Sequence, residues 1–308
     1  MDDKKGRFRL ADESPLFQLL VSVALIIGVG TALSIILLVG GLLVTGTSLS
    51  QFSLTDESNA GLVRYYLAIQ DLCLFILPAS VIMKLRRNED EPWMRVFGSF
   101  SMKEAILVLI MALCIFPVTS FTGEINSMMH FPDWMSGIGK WVEGKEEMAD
   151  KVTGYLAESK SFPMLMLNLF IIALLPALGE EMVFRGVFQK IFCSMFRSYH
   201  TAIWITAFIF SFVHLQFFGF IPRLILGAVF GYLFYWSGKL WLPIAAHFVN
   251  NGFPLIISFI YGPEALNSTD NIPLWKQGLA VPLPLFVVAG ILLYFRKKYS
   301  VRQAYPGK

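Results

Sequence analysis

The feature that most constrains this chain is a succession of long apolar runs. From Leu16 to Val44 there is no charged residue. A hydrocarbon core ~30 Å thick needs about 20 apolar residues to be crossed by one helix. Segments that meet or approach this length recur at roughly 16–44, 62–83, 103–122, 162–188, 201–218, 222–237, 241–261 and 279–295. Charged residues make up only 15% of the 308 residues and hydrophobic ones 56%, whereas soluble domains carry about a quarter charged. Lipid leaves backbone polar groups no partners but their own, so each run must be a helix. The expected fold is all-α, a polytopic transmembrane helical bundle of about eight spans, in an integral multi-pass membrane protein. If the cell is bacterial, that membrane is the inner one. The first run outlasts a signal-peptide core and reads as a retained span.

Basic residues orient the bundle. Lys4, Lys5, Arg7 and Arg9, then Lys84, Arg86, Arg87, Arg95 and Lys103, then Lys190, Arg197 and Lys239, and last Arg296, Lys297, Lys298, Arg302 and Lys308 fall on one side, while 45–61 holds no Lys or Arg. The positive-inside rule then makes both termini cytoplasmic. The segment 123–160 is external, with seven acidic residues, four lysines and two interface-suited tryptophans, Trp134 and Trp141. It forms either a helix lying on the surface or a solvated loop. The chain divides into N-terminal spans with this external segment, 1–160, and a helical core with a C-terminal span, 161–308. The small net charge of +3, with no basic tract interleaved with aromatics, excludes nucleic acid as a partner. Cys73, Cys114 and Cys193 are odd in number and match no metal spacing, so they read as free thiols. Gly227 and Gly231 form a Gly-x-x-x-Gly face for close helix packing.

Ionisable groups inside a membrane are costly to keep and mark functional sites. The strongest case is Gly179-Glu180-Glu181-Met182-Val183-Phe184-Arg185. Glu181 and Arg185 are four apart and share a helix face as an ion pair. Glu180 is turned about 100° away and is free to point elsewhere. In the fifth run Phe210 and His214 share a face, and in the seventh His247 and Asn251 do. Taken singly, a core histidine or interhelical polar glue explains either pair. Counted from the cytoplasmic end, however, Glu180, His214 and His247 fall about ten, thirteen and six residues in, all in the inner half or near the midplane of the core. His130 and His200 fall in loops, as surface residues. A carboxylate and an imidazole can bind and deprotonate a water, and an Asn amide or a His N–H can donate to an oxyanion. Alternatively, Glu180, His214 and His247 can bind zinc with a position left open for water. There is no His-Glu-x-x-His and no Gly-x-Ser-x-Gly sequence.

Glu-Glu-x-x-x-Arg, Phe-x-x-x-His and His-x-x-x-Asn, in this order on separate membrane helices, resemble the CAAX-protease and bacteriocin-processing (CPBP) intramembrane proteases over roughly 160–255. The resemblance implies an intramembrane endopeptidase acting on membrane-associated protein or peptide substrates in the lipid bilayer. It assigns water activation to Glu180 and His214, and the oxyanion or its support to His247 and Asn251. Glu181, Arg185 and Phe210 are structural support. The family is commonly classed as metalloproteases, with zinc on Glu180, His214 and His247 if a metal is bound, and a metal-free glutamate mechanism is the alternative. Two other readings stand beside it. One is a non-catalytic membrane regulator, such as a bacteriocin self-immunity protein. The other is a proton-coupled transporter, which the absence of a recognisable inverted repeat disfavours.

Overall fold

The structure is a computed structural model that describes residues 9–86, 96–267 and 273–299. Of the basic residues used for orientation, Lys4, Lys5, Arg7, Arg87, Arg95, Arg302 and Lys308 lie outside these ranges. The described residues contain helices and no strand. The principal ones, in chain order, are α1 (Pro15–Thr45), α2 (Glu57–Leu85), α3 (Met102–Ser127), α4 (Ser136–Ala157), α5 (Phe162–Met195), α6 (Tyr199–Phe212), α7 (Phe220–Ser237), α8 (Trp241–Tyr261) and α9 (Leu274–Lys298). Seven of these are long and apolar enough to cross a membrane. The protein is an all-α, multi-pass membrane bundle.

Local chemistry sets the helix ends. Ser101 opens α3 with a reciprocal capping box to Glu104. Ser161 caps α5 ahead of Pro163, in the first turn where the missing N–H is harmless. Gly46 and Gly238 close α1 and α7 at φ 68°, a left-handed turn that only glycine makes without strain. Three helices also widen inside the membrane, α1 over Ala24–Gly30 and two others ahead of prolines. Asp71–Ile76 in α2 and Leu169–Leu174 in α5 are π-helical, and each ends two residues before a proline, Pro78 or Pro176. A proline cannot donate to, and clashes with, the carbonyl four residues back, so the turn ahead of it opens. A further π-helical stretch, Met182–Phe188, follows the two glutamates.

Helix α3 packs against α7, α8 and α9, and α6 lies along α7. The Gly-x-x-x-Gly face serves packing as expected. A Cβ on Gly227 would stand 3.0 Å from Ala207 Cα, and one on Gly231 would stand 2.8 Å from Ile203 Cγ2. This close approach also bares backbone carbonyls, which α5 uses. Gln189 Nε2 donates to Gly231 O at 3.0 Å. All three cysteines are free thiols.

Two of the expected spans need correction. The fifth, placed at 201–218, ends at Phe212 and has 14 residues. At ~1.5 Å per residue that helix is about 21 Å long, short of the full core. The connection to the next helix, expected as a short hairpin at 218–222, is correspondingly longer, over 213–219, and α7 starts at Phe220 with Pro222 in its first turn, where the missing N–H is harmless. The fourth span continues past 188 to Met195. The segment after α3 is chiefly helical, as α4, rather than loop.

Candidate active site

Two helices and one connection deliver the site. α5 contributes Glu180 and Glu181, α8 contributes His247, and the connection after α6 contributes His214. Glu181 and Arg185 are fully buried. They form the expected intrahelical pair, with Arg185 Nη1 donating to Glu181 Oε1 at 2.8 Å. Arg185 Nη2 donates to Gly227 O at 2.9 Å. Such a pair holds α5 to α7 and leaves the guanidinium charge compensated. Glu181 has a second duty that sequence reasoning missed. Its Oε1 also accepts from His247 Nδ1 at 3.0 Å, which fixes the ring and its tautomer as carboxylates do for histidines at functional sites.

His214 is fixed in the same sense. Its Nδ1 lies 2.7 Å from Phe210 O, and a carbonyl can only accept, so Nδ1 carries the proton. Both rings therefore turn Nε2 inward. His214 Nε2 stands 4.0 Å from Glu180 Oε2, and His247 Nε2 stands 3.8 Å from the same oxygen. That oxygen is buried and has no hydrogen-bond partner in the protein. Three side chains from separate elements thus converge on one point. When both rings are neutral, all three facing atoms are acceptors. A proton donor placed between them satisfies two at once.

Aromatic rings wall this point. The Phe210 ring lies under the Arg185 guanidinium at 4.9 Å and edge-on to Phe184 at 5.1 Å. It also meets His214 at 5.1 Å and His247 at 6.0 Å. Phe230 stacks on His247 at 5.5 Å. Phe210 is thus the packing element that joins the Glu181–Arg185 pair to both histidines. His247 is 6% exposed at its side chain against 27% for His214, so the site opens on the His214 side.

Asn251 follows His247 by one turn of α8 on the same face. Its Oδ1 accepts from Asn250 Nδ2 at 3.3 Å, and among the described residues no hydrogen bond joins it to Glu180, His214 or His247. His130 and His200 are exposed as expected, but His200 lies in the first turn of α6, with Nδ1 2.7 Å from Tyr232 Oη. A carboxyl that sequence reading passed over is Asp71, buried in the π-helical stretch of α2. A Cβ on Gly179 would stand 2.7 Å from Phe75 Cβ and 3.5 Å from Asp71 O. Glycine there lets α2 approach α5 until Asp71 and Glu180 act on each other electrostatically. The signal was available, since Asp71 is itself an ionisable residue inside an apolar run.

The donor types of Glu180, His214 and His247 suit zinc, but the spacing does not. Tetrahedral bonds of ~2.0–2.1 Å set N and O ligands about 3.4 Å apart. The observed 3.8 and 4.0 Å are wider, and among the described residues no three His, Cys, Asp or Glu side chains are arranged to hold a metal ion. A water hydrogen-bonded at ~2.8 Å to two of these atoms matches their separation.

Residues 162–253, which contain all of these groups except Asp71, match the family described as Rce1-like, type II CAAX prenyl endopeptidase. The CPBP resemblance read from the three motifs therefore holds over this segment. The chain is also similar to the uncharacterized protein YpbD of Bacillus subtilis (strain 168), at 30% identity over 86 residues, 27% of this chain and 41% of that protein. The match thus spans less than half the length of that relative. No solved structure matches.

Proposed function

We propose that this protein is an intramembrane endopeptidase that cleaves tails of membrane-associated proteins with a water held by Glu180 and His214. The observation that carries the reading is the convergence of Glu180 Oε2 and the two Nε2 atoms within 4.0 Å in a segment of the CAAX-protease type. Glu180 takes a proton from the water as the oxygen attacks the scissile carbonyl, and His214 Nε2 accepts the water's other hydrogen bond. The tetrahedral intermediate collapses, the C–N bond breaks, and Glu180 returns the proton to the leaving amine. This is general base followed by general acid catalysis.

His247 has one donor already engaged by Glu181. It can serve the developing oxyanion only as imidazolium, through Nε2–H, and as a neutral ring it is a second acceptor for the water. The Asn251 amide is the other donor assigned to the oxyanion. Donors held in place before reaction are effective, because they need not reorganise as charge develops. The mechanism routes no step through a metal.

A library of prenylated and unprenylated tail peptides, incubated with the protein in proteoliposomes, tests the reading. Cleavage by the wild type and none by Glu180→Ala supports it. Peptide binding without cleavage points to a regulator, and proton flux without cleavage points to transport. Restoration of chelated protein by zinc alone would replace the metal-free mechanism with a metal-dependent one.

A further inference from the structure

The connection that carries His214 is held in an unfavourable backbone conformation. Leu215, directly after His214, has φ 55° and is the sole non-glycine residue with positive φ among the described residues. For a bulky L-residue this region is an outlier, and such outliers persist only where surrounding contacts impose them. The contacts here come from Arg223, one turn into α7. Its Nη1 donates to Gln216 O at 3.0 Å and its Nη2 to Gln216 Oε1 at 2.6 Å. Both prongs of one guanidinium thus grip a residue two positions from His214. The other side of the connection rests on the segment after α3. Phe131 packs on Phe217 at 4.6 Å, and the Glu146 carboxyl of α4 faces Arg223 and the Phe218 backbone. None of these residues belongs to the three motifs, and none touches the point where Glu180 and the histidines meet.

We propose that Arg223 is a positioning residue for His214: by gripping Gln216 it holds Leu215 left-handed and so sets His214 Nε2 toward Glu180. The inference rests on the protease reading for its consequence in turnover, but its structural half is independent of it. Lysine is a poor substitute, because an ammonium cannot make the planar two-pronged contact. Lysine does keep the charge that Arg223 presents toward Glu180 and His214. The Lys variant therefore separates gripping from a direct electrostatic role.

The test uses the full chain in nanodiscs, with Arg223→Gln, Arg223→Lys and the milder Gln216→Ala, which retains the carbonyl contact. Three readouts are taken: amide hydrogen exchange across 213–219, the imidazole N–H resonance of His214, and cleavage of a prenylated tail peptide. Arg223→Gln is expected to raise exchange in 213–219 at least tenfold and to abolish the His214 N–H resonance, with α6 and α7 still protected. Its kcat should fall at least tenfold with KM within about twofold. Arg223→Lys should behave nearly as badly, and Gln216→Ala should move in the same direction by less. If Arg223→Gln fails to fold, the Lys and Gln216 variants carry the test. Unchanged exchange and an intact His214 resonance would overturn the proposal. So would wild-type kcat in Arg223→Lys with exchange still raised, since charge alone would then be what matters. If the wild type cleaves no peptide, the protease reading fails, and exchange and the His214 resonance still decide whether Arg223 positions that ring.

Discussion

Glu180 and Glu181 are neighbours in sequence, yet their replacement should have opposite consequences. Glu181→Gln removes the charge that compensates a fully buried Arg185, leaving it Gly227 O at 2.9 Å and a neutral amide. It also weakens the anchor of His247 Nδ1. Breaking one side of a buried pair costs about 3–5 kcal/mol, because the remaining charge is stranded. A retained amide oxygen places glutamine near the lower end. At about 2–4 °C per kcal/mol for domains of 150–250 residues, the melting midpoint should fall by roughly 6–12 °C. Glu180→Gln should lower it by less than about 2 °C, because Glu180 Oε2 has no partner to lose, and should remove activity. Glu181→Met combined with Arg185→Met should recover most of the lost stability, since no buried charge is stranded, without restoring turnover. Thermal unfolding of the purified protein, followed by a thiol-reactive dye reporting exposure of the buried Cys73 and Cys193, measures all four proteins. A midpoint for Glu180→Gln below that of Glu181→Gln would refute the division of roles.

Other expectations follow from the same geometry. Asn251→Ala should lower kcat by roughly 10²–10³, the scale for one lost oxyanion donor, with KM little changed; a fall in melting midpoint with wild-type turnover would make Asn251 a packing residue. In a cysteine-free background, a cysteine at Ser136 should react with an impermeant maleimide from outside intact cells and one at Lys297 should not, and the reverse labelling would invert the orientation. Burial raises the Glu146 carboxyl above its ordinary range, against Arg223 and the Phe218 N–H, which lower it, and with Asp150, which raises it further. Since the folded value exceeds the unfolded one, its contribution to docking of α4 is full below the ordinary carboxylate range and is lost as pH rises through the raised value. Hydrogen exchange of 213–219 should therefore increase with pH over that interval beyond the intrinsic rate, and Glu146→Gln should abolish the excess.

The spans were legible because lipid permits one backbone solution to a long apolar run, and the Glu181–Arg185 pair because helical spacing alone brings the two together. The fate of Glu180 was legible only as freedom: spacing said which face it left, not which histidines it would meet. Three features were hidden for stated physical reasons. The end of α6 at Phe212 goes with contacts that Arg223 and Phe131 make to the connection after it, which no local window contains. The link from Glu181 to His247 joins residues 66 apart, so nothing in either motif announces it. Asp71 was visible as a charge in an apolar run, but its nearness to Glu180 follows from the small Gly179 and the widened turn ahead of Pro78.

The central claim is that Glu180 and His214 act as one unit on one water. A double-mutant cycle on kcat tests it, using Glu180→Ala, His214→Ala and the double variant, each confirmed as folded by its melting midpoint. Groups that serve a single step together are grossly non-additive, so either single replacement should reduce kcat nearly as far as both together. If the two losses instead multiply to give that of the double variant, the two side chains act independently and no shared water joins them.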